Sequence, residues 1–494
     1  MKRSKFSLSH YWNFSLDMGD LVPCGLVEVL PGDTVQHATS VLARASALLA
    51  PVMHPVMIRI HHWFVPHRLT WEDFEKFITG GPDGNDASVF PTITLATVPV
   101  GSLADKLGVP TDATNLEVSA LPFRAYSLIW NEWYRDQDLQ TELTVDLTSG
   151  ADTTTATDLQ KSSWEKDYFT SSRPWEQKGD EVTISLTGDA PVRGIGSSGT
   201  SYGSTSVSVK ESGAVDTTYA NARDVSLGGS NIQYVEEDPA NAGYPGVYAD
   251  LSAVGGVTVN QLRESVALQR YKEARARYGS RYTEYLRYLG VRSSDARLQR
   301  PEYLGGGRQT LQFSEVLQTA EGANPVGELR GHGISAVRSN RYRRFFEEHG
   351  YVISMMNIRP KSVYANGLSR HWNRRVKEDF WQKELQHIGQ QEVLNKEVYA
   401  NHSTPDGTFG YQDRYDEYRR AESMVTSEFR TSALNFWNYA RIFGSDPALN
   451  SDFVECEPTQ RPFAVTTNDV MYAMCHHSIQ ARRLLSARGT SYTF

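Results

Sequence analysis

Only three cysteines occur in 494 residues, and Cys24 lies far along the chain from Cys456 and Cys475. That spacing supports no disulfide framework and suits a reducing compartment. No stretch approaches the ~20 apolar residues of a bilayer crossing. The basic N-terminus, MKRSKFSLSHYWNF, lacks the apolar core of a signal peptide. The chain is therefore expected to insert in no membrane. Zinc-type spacing is missing too. His61-His62 and His476-His477 are adjacent pairs whose members point apart, and Cys475 has no C-x-x-C partner. H-E-x-x-H and the phosphate-cradling P-loop do not occur. No metal and no cofactor are expected.

Two catalytic look-alikes fail on context. The stretch GIGSSGTSYGSTS, Gly194 to Ser206, contains G-x-G-x-x-G at Gly194, Gly196 and Gly199, and G-x-S-x-G at Gly199 to Gly203. Both motifs need a buried strand before them and a helix after them. GDAPVR precedes and TSYGSTSVSV follows, and neither pattern fits. A polar loop or hairpin array is the simpler reading. No catalytic constellation emerges, and the chain reads as a non-enzyme.

The chain has 39% hydrophobic and 11% aromatic residues, with 25 Tyr and 10 Trp. That is ample for a core, and it favours sheets and interfaces. Net charge is 50 − 58 = −8, so the whole chain is no nucleic-acid condenser. Two sectors run the other way. Residues 263–308 carry 11 Lys/Arg against 5 Asp/Glu, and residues 330–380 carry 11 against 4. Ion pairing within the protein and contact with phosphate both remain open for these sectors.

VMIRIHHWFVPH alternates, with Val56, Ile58, Ile60 and Phe64 on one side and Met57, Arg59, His61 and Trp63 on the other. LVPCGLVEVLPGD and HGYVISMMNIRP also read as strands. LPFRAYSLIWNEWYRD reads as a helix with Pro122 in its first turn; Tyr126, Ile129, Trp130 and Trp133 share a face best explained by core packing. Residues 81–120 read as mixed loop. A Gly/Ser/Thr-rich segment spans residues 181–257. A helix with Ala267, Tyr271, Ala274 and Tyr278 on one face follows, broken at Gly279-Ser280 and resumed at Tyr282. Short helices are expected in FWQKELQHIG and SEFRTSALNFWNYARIFG. Strands at both ends with long excursions between them predict a mainly β fold: one sandwich carrying large insertions.

Several blocks are specific in order and spacing: FSLSHYWNFSLDMGDLVPCGLVEVLPGDT, VMIRIHHWFVPHRLTWEDFEKFITG, LPFRAYSLIWNEWYRDQDL, DYFTSSRPWEQKGD, SDARLQRPEYLGG, EHGYVISMMNIRPKSVYANGLSRHWNR and FGYQDRYDEYR. Together they resemble the major capsid proteins of microviruses, small single-stranded DNA bacteriophages, on the gokushovirus side of that family. The resemblance runs from about Phe6 to Phe453, and residues 471–494 match the common gokushovirus ending poorly.

The resemblance implies a single eight-stranded viral jelly roll over residues 1–494, with long interstrand insertions and a divergent C-terminal tail at 471–494. It implies assembly in the bacterial cytoplasm into a T=1 icosahedral shell of identical copies around circular single-stranded DNA. It also implies a small basic DNA-binding protein, a DNA pilot protein and a scaffolding protein as partners, and a host surface receptor. Residues 181–257 fall where such proteins carry an outward three-fold projection, which makes Gly194, Gly196, Gly199, Tyr202 and Gly203 host-contact candidates. Arg263, Arg270, Arg275, Arg277 and Arg281 are expected at a subunit interface or the interior, interleaved as they are with acidic residues. Arg338, Arg341, Arg343, Arg344, Arg482 and Arg483 are DNA-contact candidates, with Tyr342, Phe345 and Phe346 nearby to stack bases. The competing class is a non-viral, carbohydrate-binding jelly roll, which would form no closed shells.

Overall fold

The computed structural model describes residues 3–184, 192–193, 195–197, 207–209, 217–219, 222–226, 232–237, 240, 246–251, 256–279, 281–319 and 325–487. Ten strands form one antiparallel sheet. They are β1 (Ser4–Ser7), β2 (His10–Leu16), β3 (Val22–Val29), β4 (Thr34–Ala45), β5 (Val56–Pro66), β8 (Glu302–Leu317), β9 (Leu329–Arg338), β10 (Tyr342–Phe345), β11 (Gly350–Pro360) and β14 (Met471–Arg483). Eight of them lie in the order β1-β14-β4-β9-β8-β5-β11-β3, while β2 also pairs with β14 and β10 with β4. Two hairpins stand apart, β6 (Thr92–Thr97) with β7 (Thr114–Ser119), and β12 (Gln390–Leu394) with β13 (Thr408–Asp413).

The sheet curls on itself around a shared core. Val41, Ala43, Ala473 and Cys475 from one half meet Val56, Ile58, Ile60, Met356 and Ile358 from the other. Farther along, Val29, Val35, Phe64, Phe346, Val352 and Ile479 extend it. The alternation of β5 places Val56, Ile58, Ile60 and Phe64 inward, as its sequence requires. Its other face is covered as well. Trp63 and Val65 pack with Ile353 and Met355 against Phe123, Tyr126, Ile129 and Trp130. Those residues belong to α2 (Leu121–Ile129) and the single π turn Trp130–Tyr134 that continues it, with Pro122 in the first turn. This is the mainly β jelly roll expected from the sequence.

A fully buried ion pair ties the start of α2 down. Arg124 Nε lies 2.8 Å from the Asp152 carboxylate, and its Nη1 donates to the carbonyls of Thr70 and Thr148 at 2.9 and 3.1 Å. Such a pair is tolerable in a core only because its remaining donors are satisfied. At β8 a bulge between Tyr303 and Gly305 is turned by Gly305, whose φ of +142° suits glycine.

The chain divides into two compact units, one of Met1–Glu176 with Arg275–Phe494 and the other Gln177–Ala274. Within the second, Val207–Val209 pairs with Thr217–Tyr219. Ala222–Ser226, Ile232–Glu236 and Ile195–Ser197 form a three-stranded sheet, and Val209, Tyr219 and Tyr234 are buried together.

Three local expectations are corrected. Residues 81–120 are mixed loop only in part, since the β6–β7 hairpin and the helical turn Leu103–Lys106 lie within them. The short helices expected after residue 376 are single 3-10 turns, Lys377–Asp379, Leu385–His387, Ser427–Arg430 and Asn435–Trp437. The C-terminal stretch is no tail over its first thirteen residues. It is β14, paired along its length with β4 on one side and with β1 and β2 on the other.

Candidate nucleic-acid interface

One face of the curled sheet is covered by α2, but the face of β10, β9, β4, β14, β1 and β2 that points away from the core is open. Cross-strand partners share a face and alternate residues share it along each strand, so its membership follows from the register. Phe345, Thr34, Arg482 and Lys5 form one row, and Arg343, Gln36, Gln480 and Ser7 the next. Further rows are Arg338, Ser40, His476 and Tyr11, then Ala336, Leu42, Met474 and Asn13, then Ile334, Arg44, Tyr472 and Ser15. No row contains an Asp or Glu. Lys5, Arg44, Arg338, Arg343 and Arg482 are exposed and form no ion pair among the described residues. Arg3 joins them, its guanidinium 5.1 Å from the Phe345 ring and its Nη1 3.0 Å from Thr34 Oγ1. Exposed rings stand among these cations: Tyr11 stacks on His476 at 4.6 Å, and Tyr472 and Phe345 lie open.

The six DNA-contact candidates divide. Arg338, Arg343 and Arg482 converge on this face although 139 residues separate Arg343 from Arg482. Arg341 lies exposed in the turn between β9 and β10. Arg344 points to the other side and pairs with Glu302 at 2.8 Å. Arg483 pairs with buried Asp33 at 3.1 Å and donates to the Glu28 carbonyl at 2.6 Å. The expected stacking partners are also corrected. Tyr342 and Phe346 are buried in the core, because they alternate with Arg343 and Phe345, which leaves only Phe345 to the open face. Sequence reasoning missed Lys5 and Arg44, whose membership depends on strand register alone.

The interface candidates sit on α3 (Val259–Tyr278) and just before α4 (Tyr282–Tyr288). Arg263 and Arg270 are exposed on the part of α3 within the second unit. Arg275 is exposed. Arg277 pairs with Asp413 at 3.0 Å, and Arg281 donates to the carbonyls of Asn131 and Glu132. Arg281 thus serves as a tie within the chain. Ala276 is the one buried residue of α3 among those described, so the face of Ala267, Tyr271, Ala274 and Tyr278 is not a core face. Of the host-contact candidates, Gly196 lies in the strand Ile195–Ser197 opposite Tyr234. Gly194, Gly199, Tyr202 and Gly203 lie outside the described residues.

Directly beneath the open face is a buried polar cluster. His477 Nε2 donates to the Cys24 carbonyl at 2.8 Å, which leaves its Nδ1 to accept from Thr39 Oγ1 at 2.9 Å. His37 Nε2 lies 3.0 Å from Thr39 Oγ1, and its Nδ1 lies 3.1 Å from the Tyr342 hydroxyl. Nearby, His62 bonds Ser354 at 2.8 Å and Ser339 at 3.1 Å. The chain Tyr342 to His37 to Thr39 to His477 to Cys24 satisfies every member with all rings neutral. Among the described residues no carboxylate hydrogen-bonds these rings. Burial pushes all three down, His62 to about 3, His477 to about 4 and His37 lower still. Cys24 and Cys475 sit alongside as buried free thiols; with His477 they form a trio of potential ligand atoms within 4.8 Å of one another. Both nitrogens of His477 are already engaged.

A separate cavity of about 460 Å³ is lined by Tyr168, Arg370, Trp372, Glu397 and Glu417. Arg370 pairs there with buried Glu397 at 2.9 Å and with Glu417 at 3.8 Å, so its charges are matched internally. No helix among the described residues is long and apolar enough to cross a membrane.

Comparison with known proteins adds to this geometry. A family model described as capsid protein (F protein) matches residues 1–491. Capsid protein VP1 of Bdellovibrio phage phiMH2K is 36% identical, covering 94% of this chain and 90% of the relative. Capsid protein VP1 of Chlamydia phage 1 is 34% identical, covering 94% and 91%. Capsid protein VP1 of Spiroplasma virus 4 is 29% identical, covering 92% and 87%.

Proposed function

The chain belongs to the F-protein family of phage capsid proteins, and from that premise we propose that its copies close into a T=1 icosahedral shell around circular single-stranded DNA, with the open, basic face of the sheet turned to the genome. The protein is a major capsid protein of a phage virion, and its family is structural, not enzymatic. The observation that carries the DNA reading is the open face itself. Five cations without ion pairs among the described residues share it with Tyr11, Tyr472, His476 and Phe345. Arg and Lys attract phosphate at any sequence, and exposed rings stack unpaired bases, which duplex DNA does not offer. A chain of net charge −8 neutralises little DNA by itself. Bulk neutralisation therefore falls to a small basic DNA-binding protein, with a pilot protein and a scaffold completing the set of partners. The segment 181–257 is read as the host-contact projection.

Electron cryomicroscopy of DNA-filled particles tests both halves. The expected result is a T=1 shell with nucleic-acid density against Arg338, Arg343 and Arg482. Reversing these three to Glu should leave shells closed but lower packaged DNA at least tenfold. An outward-facing sheet surface, or unchanged packaging, removes the DNA reading. A shell of another triangulation removes the T=1 reading alone.

A further inference from the structure

Two further surfaces of the larger unit stay exposed among the described residues and are complementary to each other. The first follows Arg281. Tyr282, Tyr285 and Tyr288 of α4 and Leu289 beyond it are exposed, Tyr282 at 67% and Leu289 at 54%. Arg287 and Arg292 flank them and form no ion pair among the described residues. Tyr and Arg are the residue types enriched where proteins dock, because they offer large area with little loss of freedom. The second surface is built on α1 (Phe74–Thr79) and the loop after it. Phe77 and Ile78 are exposed, Ile78 at 52%, and Val89 is exposed at 64%. Glu72 and Glu75 stand beside them and Asp83 follows in the loop, without an ion pair among the described residues, while Lys76 of the same helix is held by Asp73 at 2.9 Å. Phe77 is seated on Trp71, whose ring lies 4.8 Å away, so the patch rests on a rigid base.

Both patches are fastened to α2 and its π turn, but at opposite ends. Arg124, in the first turn, grips the carbonyl of Thr70 just before α1. Asn131 and Glu132, past the last turn, receive Arg281 just before α4. Seven residues of helix put these anchors about 10 Å apart. Both surfaces remain exposed, so neither covers the other in one chain.

We propose that the tyrosine–arginine surface of α4 docks on the acidic, apolar surface of α1 in a second copy. The contact joins two different patches, so it is heterologous. Repeated head to tail about a symmetry axis of the shell, such a contact forms a ring. The complementarity of sign orients the encounter, and the apolar residues at the centre of each patch supply the buried area. The inference rests on self-assembly of the capsid protein, not on the DNA reading.

Charge exchange tests it. Arg287→Glu with Arg292→Glu, and separately Glu72→Lys with Glu75→Lys, should each lower the yield of closed particles at least tenfold at low salt. All four substitutions in one chain restore the contact with its polarity reversed, and the yield should recover to within about threefold of the parent. Thermal unfolding of the unassembled subunits shows whether each variant has folded. Should a charge variant fail to fold, Ile78→Ser and Leu289→Ser replace it and should cut particle yield likewise. Parental yield from folded variants of either patch overturns the inference, as does a folded fourfold variant that regains no particles. Failure of the T=1 reading is distinguishable, because it shows in the architecture of parental particles.

Discussion

At the scale of single residues, the buried histidines are the feature with the sharpest consequence. His62 and His477 are held neutral by burial, their folded values lying near 3 and 4 against an ordinary 6.5. On unfolding they return to 6.5, so between their folded values and 6.5 the unfolded chain binds more protons. Stability from these rings is therefore complete above pH 6.5 and is lost as pH falls from 6.5 towards 4. Each ring contributes a slope of about 1.4 kcal/mol per pH unit across that window. His62 is the clean probe, because its partners Ser354 and Ser339 are hydroxyls that an amide side chain also satisfies. His62→Gln should flatten the urea-unfolding stability between pH 6.5 and 4 by about one proton's worth of slope. An unchanged slope in that variant would mean that His62 is not buried neutral.

At the scale of elements, β14 matters most. Its residue Ile479 is fully buried and packs with Val35, Phe64 and Val352. Ile479→Ala should cost about 2–5 kcal/mol in urea unfolding, the range for removing a large aliphatic side chain from a core. A cost under about 0.5 kcal/mol would return the stretch to the status of a tail. The sequence MYAMCHHSIQARR hides this strand for a physical reason. One of its faces is the open, polar surface, and the other carries Cys475 and His477 in place of plain aliphatics, so the alternation that exposes β5 is blurred. β5 is legible because Val, Ile and Phe fill one side and the other holds Arg59 and His61. α2 is legible because its aromatic face is continuous and Pro122 marks its start. The open face was legible only in part. Arg338, Arg343 and Arg482 announce themselves by clustering with other arginines, but Lys5 and Arg44 join them solely through pairing register. Arg344 and Arg483, equally basic in sequence, are turned to the other side by the same alternation.

At the scale of the whole molecule, the division of the chain sets what can be removed. All ten strands of the large sheet lie in Met1–Glu176 and Arg275–Phe494, so the core of the jelly roll owes no strand to Gln177–Ala274. The smaller unit buries little apolar surface of its own among the described residues: Val209, Tyr219 and Tyr234 are its buried cluster. Gly/Ser/Thr-rich segments that add no strand to the main sheet are where substitution is tolerated and recognition is found. Deleting residues 187–231 should therefore leave the melting of the subunit within a few degrees of the parent and still allow closed particles. If this segment meets the host, the same deletion should lower adsorption to host cells at least tenfold at equal particle number. Three outcomes separate the alternatives. Normal particles with poor adsorption support host contact. Normal particles with parental adsorption end that reading and leave the segment dispensable for both. A folded subunit that no longer closes into particles assigns the segment to shell building, where contacts between neighbouring copies, and not a receptor, explain its size.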